Sequence, residues 1–198
     1  MVNEAHIQDS IYLSKIFHPQ QNLKQQNSPE TDFCLKFAQY YKGSFIKIHR
    51  NTIMRESLFL REFPVSESGI ADLVVLSWNS RVNKEDPFQV RAFEIKINDW
   101  KAGLAQAYRY NAYSNATILV LPLRKITPAI DALAYFQTLN VGLWGFDENK
   151  MILQQYYTPR PKKPKIKKKL YKMINSISKL YDFKKDSNLS SASLKTVK

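Results

Sequence analysis

The feature that most constrains the fold is a succession of short apolar segments between residues 69 and 146. Four apolar segments read as strands, at 69–76, 88–97, 117–121 and 141–146. The first, which is of the β-branched kind, and the third read as buried strands. A charged loop joins the first two, and helical patterns lie between the second, third and fourth. Strands that alternate with helices form right-handed crossovers, with helices on both faces of the sheet. The pattern therefore predicts an α/β fold with a central mixed β-sheet flanked by helices.

The flanking sequence adds elements on both sides of this succession. Ser28 followed by Pro29 is a helix start signal. We expect three parts: an N-terminal helix and polar loop at 1–29, an α/β domain at 30–158 and a basic tail at 159–198. The remaining predicted elements are a helix at 4–17, a helix from 29 to Gly43, strands at 45–48 and 59–65, helices at 98–113 and 127–139, and a strand at 151–155.

Two of the apolar strands carry acidic side chains. Asp72 lies in the first strand, and Glu94 lies in the second with Lys96 two residues later. Because side chains alternate along a strand, Glu94 and Lys96 face the same side and Ile95 faces the other. The chain contains four acid-x-Lys triplets, and only 94–96 lies inside an apolar strand. Since a buried charge is costly unless it is paired or binds a metal, these residues are candidates for a functional site.

Two interpretations of these charges stay open. If Asp72 meets Glu94, the two carboxylates repel each other unless a cation joins them. Mg²⁺ prefers oxygen ligands and Mn²⁺ can substitute for it; a neighbouring lysine can orient or deprotonate a metal-bound water, and the metal neutralises charge that builds on a phosphate. The alternative is an ion pair of Lys96 with Asp72 or Glu94 on a half-exposed sheet.

The strand motifs also resemble a known group of enzymes. Residues 69–75 (GIADLVV), residues 93–96 (FEIK) and the helix over 99–110 resemble the PD-(D/E)xK nuclease superfamily. The resemblance covers roughly residues 30–147. The proline that gives the superfamily its name is replaced by Ala71, a change that is common among its members. The resemblance implies a restriction-endonuclease-like core and DNA cleavage with Mg²⁺.

The resemblance also implies roles for individual residues. Asp72 and Glu94 correspond to metal ligands and Lys96 to the catalytic lysine. The helix after the lysine contains Gln106 and Tyr110, a spacing similar to the Gln-x-x-x-Tyr signature of the RecB-like and Holliday-junction-resolvase-like branch. Because these two residues are four apart, they share one helix face, which either borders the metal site or is an ordinary packing surface.

Members of the superfamily often add an acid from the first helix. Glu30 is preferred here as a third metal ligand and Asp32 is the other candidate, although either carboxylate would also favour a helix N-terminus. The implied function is a Mg²⁺-dependent deoxyribonuclease, of endonuclease type, in repair, recombination, restriction or defence. The alternative is a catalytically inactive member of the same fold that binds DNA or acts as a scaffold.

The charge of the chain is concentrated at its C-terminal end. Residues 159–198 contain thirteen Lys and Arg against two acidic residues, whereas the preceding residues contain seventeen against fifteen. A basic block of this kind commonly binds a polyanion, and DNA is the expected partner. The residues predicted to contact nucleic acid are Arg160, Lys162, Lys163, Lys165, Lys167, Lys168 and Lys169.

The tail also contains an apolar stripe. Leu170, Met173, Ile174, Ile177, Leu180 and Tyr181 recur at helical spacing. Three interpretations stay open: the stripe docks on the domain or on a second protomer to form a homodimer, it folds on meeting DNA or a partner, or it lies on a membrane surface, which is the least favoured.

Several other classes of protein are not indicated. The single cysteine, Cys34, excludes a disulfide framework and reads as a core thiol. No segment resembles a transmembrane helix or a signal peptide, so we expect a cytoplasmic protein. There is no phosphate-binding glycine loop or nucleophile elbow, and no small-molecule cofactor is expected.

Overall fold

The computed structural model describes residues 16–17, 28–49, 56–65, 69–78 and 88–181. Within them, six strands and a two-residue strand, β1, form one mixed sheet whose strands follow chain order. The predicted α/β class, with a mixed sheet flanked by helices, is confirmed. The strands are β1 (Ile16–Phe17), β2 (Glu56–Val65), β3 (Gly69–Trp78), β4 (Phe88–Ile95), β5 (Ala116–Pro122), β6 (Val141–Asp147) and β7 (Ile152–Tyr157). The helices are α1 (Pro29–His49), α2 (Trp100–Tyr110), α3 (Thr127–Asp131), α4 (Leu133–Leu139) and α5 (Lys167–Tyr181).

The sheet combines antiparallel and parallel pairs. β2, β3 and β4 are antiparallel neighbours, and so are β6 and β7. β4, β5 and β6 run parallel, with α2 connecting the first two and α3 and α4 connecting the last two. The parallel strands are the most buried part of the sheet, and every residue of β5 is buried. This is expected for parallel strands that are covered on both faces.

Helix α1 covers one face of the sheet. Its aromatic residues Phe33, Phe37, Tyr41 and Phe45 recur every four residues, so they lie along one side of the helix. They belong to a buried cluster that includes residues of β3–β6. The ring of Tyr41 lies 4.8 Å from that of Phe93. This spacing explains why α1 continues to residue 49 instead of ending near Gly43, so the predicted strand at 45–48 is wrong.

Helices α2 to α5 cover the opposite face. Leu104 and Ala107 of α2 pack against β5 and β6. The apolar stripe of α5 packs against β2, β3 and β4, where Leu170, Met173, Ile174 and Ile177 are all at most 4% exposed. Of the three interpretations of the stripe, the structure has the one in which it docks on the domain. The helical part of the tail therefore packs with the folded body.

Smaller differences from the predicted elements concern their ends. Ile16 and Phe17 pair with β2 as a strand, whereas a helix was predicted there; the rest of the predicted helix and the loop at 19–27 lie outside the described residues. The helix predicted at 127–139 is divided at Ala132, whose backbone leaves the helical region. Within the described residues, no helix combines the length and apolar character needed to cross a bilayer.

Candidate active site

The pairing of β3 and β4 brings the two predicted carboxylates together. Leu73 pairs with Phe93 at the end of the ladder, so Asp72 and Glu94 occupy the next facing positions. Beyond that point the strands separate. The Asp72 side chain then serves as the hydrogen-bond acceptor in place of a backbone carbonyl of β3: its Oδ2 accepts a hydrogen bond from the Ile95 backbone N–H at 2.6 Å. The Asp72 carboxylate therefore sits where β4 leaves β3.

The regular alternation of β3 is broken at Asp72. Leu73 packs with the cluster beneath α1, yet Ala71, two residues away, packs with the cluster on the opposite face. On β2, Arg61 and Phe63 pair with β3 while Glu62 between them does not, and Glu62 has a left-handed backbone with φ of 47°. Such irregularities re-aim side chains and are frequent beside active sites.

Glu94 is held by two neighbouring groups, the Tyr110 hydroxyl and the Lys96 ammonium. The Tyr110 hydroxyl lies 2.5 Å from Glu94 Oε2 and 2.7 Å from the backbone carbonyl oxygen of Ile70. The Lys96 ammonium lies 3.1 Å from Glu94 Oε1. Because the Glu94 side chain is only 2% exposed, its orientation is fixed by these contacts.

Helix α1 contributes one acidic residue to the same place. Glu30, in its first turn, accepts a hydrogen bond from Lys96 Nζ at 3.1 Å. Asp32 instead pairs with Lys36 on the exposed side of α1 at 2.8 Å. Of the two candidate acids, the structure therefore brings Glu30 to the carboxylates, where it contacts Lys96.

The electrostatics of the site show a surplus of negative charge in a buried place. Burial, followed by the charge of Glu94, raises the pKa of Asp72 to about 7. Burial also raises the pKa of Glu94, against the opposing hydrogen bond from Tyr110 and the charge of Lys96. Burial alone would lower the pKa of Lys96. The neighbouring Glu94, Asp72 and Glu30 outweigh the effect of burial, so the pKa of Lys96 is raised. Lys96 is therefore a stable cation when no other cation is near.

Gln106 and Gly103 occupy the α2 surface beside the site. Gln106 is half-buried one turn before Tyr110, and no hydrogen bond fixes its amide among the described residues. A Cβ on Gly103 would lie 3.0 Å from Lys96 Cγ and 2.7 Å from Leu119 Cδ1. The absence of a side chain at Gly103 thus lets α2 pass close to the stem of Lys96.

Two residues near the site were not anticipated from the sequence. Tyr113 is fully buried three residues after Tyr110, its hydroxyl has no hydrogen-bond partner among the described residues, and Glu94 and Asp72 add to the burial that raises its pKa. Arg61 is 4% exposed, and its Nε has no hydrogen-bond partner in the described part of the chain, although its Nη2 donates to Glu62 at 3.0 Å. The signal available in the sequence was an arginine inside the predicted apolar strand at 59–65.

The donor groups fit a hard divalent cation in their chemistry. Asp72 and Glu94 offer carboxylate oxygens, and the raised pKa of each carboxyl group reflects charge that a cation would neutralise. The unpartnered Tyr113 hydroxyl is a further oxygen in this neighbourhood. Across the described ranges, however, no group of three or more His, Cys, Asp or Glu side chains is arranged to hold a metal ion. Metal binding would thus depend on Asp72 and Glu94, with Glu30 released from Lys96.

The basic segment at 159–169 is attached to the body before α5 begins. The backbone N–H of Lys162 donates to the Asn115 carbonyl at 2.8 Å, and that of Ile166 donates to the Ala112 carbonyl at 2.9 Å. Lys165 Nζ lies 4.5 Å from the centre of the Tyr108 ring. The predicted nucleic-acid-binding side chains project from this attached segment and the first turn of α5, where all except the partly buried Lys169 are exposed.

Cys34 is a core residue, as the sequence predicts. It is buried under α1, and burial raises the pKa of its thiol to about 12. The thiol therefore stays protonated near neutral pH, which excludes a thiolate nucleophile at this position.

Opposite stability effects are expected at Glu94 and Lys96, two contacting residues of the site. Lys96→Met removes the cation beside the buried Glu94 carboxylate and should lower the free energy of unfolding by roughly 1–3 kcal/mol. Glu94→Gln removes one of two repelling carboxylates and leaves Lys96 paired with Glu30, so the free energy of unfolding should stay equal or rise. Urea denaturation in EDTA measures both changes. A loss of stability in Glu94→Gln as large as that in Lys96→Met would contradict this account.

Comparison with protein-family models, curated proteins and solved structures finds no significant match to this chain. The functional interpretation therefore depends on the residues of the site themselves.

Proposed function

We propose that this protein is a metal-dependent nuclease of the PD-(D/E)xK type that hydrolyses phosphodiester bonds in DNA. The observation that carries the proposal is the pair of the half-buried Asp72 and the buried Glu94 at the point where β3 and β4 separate, with Lys96 Nζ 3.1 Å from Glu94. A purely structural ion pair would need one carboxylate for one lysine. Here two carboxylates contact Lys96 and the charge of a third, Asp72, acts on it, which leaves negative charge for a second cation.

The chain's own residues would divide the work as follows. Asp72 and Glu94 would hold Mg²⁺ or Mn²⁺, with Glu30 as a third carboxylate, and the metal would supply charge neutralisation for the phosphate under attack. Tyr110 fixes the orientation of Glu94 through its hydroxyl. Lys96 would orient the attacking water. Because the pKa of Lys96 is raised, its ammonium group keeps its proton and does not act as a base as long as no metal ion neutralises the carboxylates.

Gln106 would contact the nucleic acid or support the site. Its amide is half-buried and no hydrogen bond occupies it within the described residues. It lies on α2 one turn before Tyr110, on the helix face from which Tyr110 reaches Glu94. An amide in this position offers both a donor and an acceptor to a sugar or phosphate.

The basic segment would contact the DNA backbone at some distance from the carboxylates. Glu94 pairs with Leu119 in the register of the parallel strands β4 and β5. Asn115, which is hydrogen-bonded to Lys162, lies four residues before Leu119 in the chain. At ~3.3 Å per residue, the attachment point is about 13 Å from Glu94 along the sheet. A DNA strand in contact with both places would extend over several nucleotides.

The experiment that tests the proposal is a cleavage panel. Duplex, flap, junction and single-stranded DNA are each incubated with the full-length protein in Mg²⁺, in Mn²⁺ and in EDTA. We expect cleavage of at least one substrate with either metal and none in EDTA. A complete panel without cleavage, using protein shown to be folded, would contradict the proposal.

A second function has one observation in its favour. Among the described residues, no cluster of three or more side chains is arranged for a metal, and Lys96 occupies the space between Glu94 and Glu30. A protein of this fold that binds DNA without cutting it would look the same. Calorimetry with Mn²⁺ separates the two functions, because a nuclease should bind the ion and lose that binding in Asp72→Asn.

The salt dependence of DNA binding should report on the basic segment. Replacing Lys162, Lys163, Lys167 and Lys168 with Gln removes four exposed charges. If each contacts one phosphate, the slope of log affinity against log salt should fall by roughly 3–4. The loss should be equal for unrelated sequences, because phosphates carry no sequence information.

Fluorescence anisotropy in the Asp72→Asn background measures this slope without cleavage. The matched control replaces Lys36 and Lys150, which lie on α1 and on the turn between β6 and β7, and should change the slope little. An unchanged slope in the fourfold variant would show that the segment does not contact DNA.

A further inference from the structure

A small, partly open cavity lies on the α1 side of the sheet, away from the carboxylates. It has a volume of about 40 Å³. Arg91 of β4 is one of its walls. Because Arg91 is three residues before Glu94, it lies roughly 10 Å along the strand and on the opposite face. The other lining residues include Phe45, Val75, Gln89, Asn115 and Pro161.

The charge of Arg91 is not neutralised within the described residues. Its side chain is partly buried, and its Nη1 donates to the hydroxyl of Tyr41. No described carboxylate forms an ion pair with it, which leaves most of its N–H donors unused. The Tyr41 hydroxyl accepts from Arg91, and the described residues offer no acceptor for its own hydrogen. A partly buried cation with spare donors is a favourable place for an anion.

The basic segment runs directly past this cavity. Pro161 forms part of the wall. The next residue, Lys162, forms two hydrogen bonds with Asn115, another wall residue: its backbone N–H donates to the Asn115 carbonyl at 2.8 Å, and its carbonyl accepts from Asn115 Nδ2 at 3.0 Å. The side chains of Arg160, Lys162 and Lys163 are exposed beside it. The cavity therefore lies within a positively charged surface, and that surface has a fixed position relative to Arg91.

We propose that the Arg91 cavity binds a phosphate group of the nucleic-acid backbone, at a second point of attachment outside the candidate active site. A guanidinium presents two parallel N–H donors that match two phosphate oxygens, whereas the lysines of the segment act as point charges. The preference for an anion follows from the spare donors of Arg91 in the cavity. The identification of that anion as a phosphate of nucleic acid rests on the proposed function.

The test uses the full-length chain carrying Asp72→Asn, so that DNA is not cut. A labelled DNA oligonucleotide is bound, and inorganic phosphate is then titrated as a competitor at constant ionic strength. Arg91→Gln should weaken oligonucleotide binding about tenfold or more and should abolish the competition by phosphate. Arg91→Lys, which keeps the charge and loses the paired donors, should give an intermediate loss. The matched control, Arg109→Gln on the exposed face of α2, should bind within about twofold of the parent.

Each outcome decides the inference. Equal binding and equal competition in Arg91→Gln and Arg109→Gln would overturn it. Binding of inorganic phosphate that depends on Arg91, measured directly by calorimetry in a folded protein that binds no oligonucleotide, would overturn the nucleic-acid source and assign the cavity to a free phosphate or a phosphorylated small molecule. If Arg91→Gln does not fold, Arg91→Lys decides: binding equal to that of the parent would overturn the inference. The cleavage panel is scored separately, so a failed nuclease assay leaves the binding result readable.

Discussion

Truncation of the chain after residue 158 should unfold the domain, and it should not yield a stable body that lacks only its basic tail. The deletion removes α5, whose residues Leu170, Met173, Ile174 and Ile177 are buried against β2, β3 and β4. Burial of each such side chain contributes about 1.5–3 kcal/mol, so the four together contribute roughly 6–12 kcal/mol. This is comparable with the entire free energy of unfolding of an ordinary domain. Circular dichroism and urea denaturation of the truncated chain measure the effect.

A point variant makes the same test within the full chain. Ile177 is 0% exposed, whereas the adjacent Ser176 is exposed and only donates to the Lys172 carbonyl within α5. Ile177→Asp should therefore destabilise the protein by several kcal/mol, about 3 or more, because it buries an unpaired charge. Ser176→Asp, which adds the same charge one residue away, should change stability little. Equal stability of the two variants, or a cooperatively folded 1–158 fragment, would show that α5 is dispensable.

Asp72 should make the metal-free protein less stable as the pH rises. The pKa of its carboxyl group is 3.8 in the unfolded chain and about 7 in the folded one, because of burial and the charge of Glu94. Folding therefore favours the protonated form. The contribution of Asp72 to the free energy of unfolding is therefore largest below pH 4. Between pH 4 and 7 this contribution falls by up to roughly 4 kcal/mol. Above pH 7 this contribution is constant.

The difference between wild type and Asp72→Asn isolates this effect. In EDTA the variant should be more stable than wild type at pH 8, and the advantage should shrink towards pH 5. Asp131→Asn, an exposed carboxylate on α3, is the matched control and should follow wild type. Mg²⁺ should stabilise wild type at pH 8 and leave Asp72→Asn unchanged, because a metal binds ionised carboxylates. A stability difference that does not vary with pH would contradict the assignment of the buried charge to Asp72.

Much of the fold followed from local sequence patterns. The strands at 69–76, 117–121 and 141–146 are short and apolar, and each lies within a strand of the structure. The end of α1 did not follow, because Gly43 suggested a helix end while the packing of Phe45 on the sheet depends on distant residues. The docking of α5 on the sheet also depends on distant residues. The amphipathic pattern of α5 predicts an apolar helix face, but it does not specify which surface that face packs against.

The candidate site was predicted in part. Strand alternation correctly placed Glu94 and Lys96 on one side, and the structure brings Asp72, Tyr110 and Glu30 to them. The role of each residue stays a prediction. The kink at Glu62, with its left-handed backbone, could not be predicted, because nothing in the composition of β2 marks it. Arg91 was also beyond sequence analysis, since an arginine in a strand does not reveal whether a carboxylate lies opposite it.

The most direct test of the nuclease assignment is single-turnover cleavage of the best DNA substrate from the panel by wild type, Asp72→Asn and Glu94→Gln. Both substitutions keep the size of the side chain, and each variant is first shown to be folded. The account predicts that wild type cuts in Mg²⁺ and not in EDTA, and that each variant is slower by about 10³-fold or more, since it loses a metal-binding charge. Cleavage by either variant at the wild-type rate, or cleavage that continues in EDTA, would contradict it.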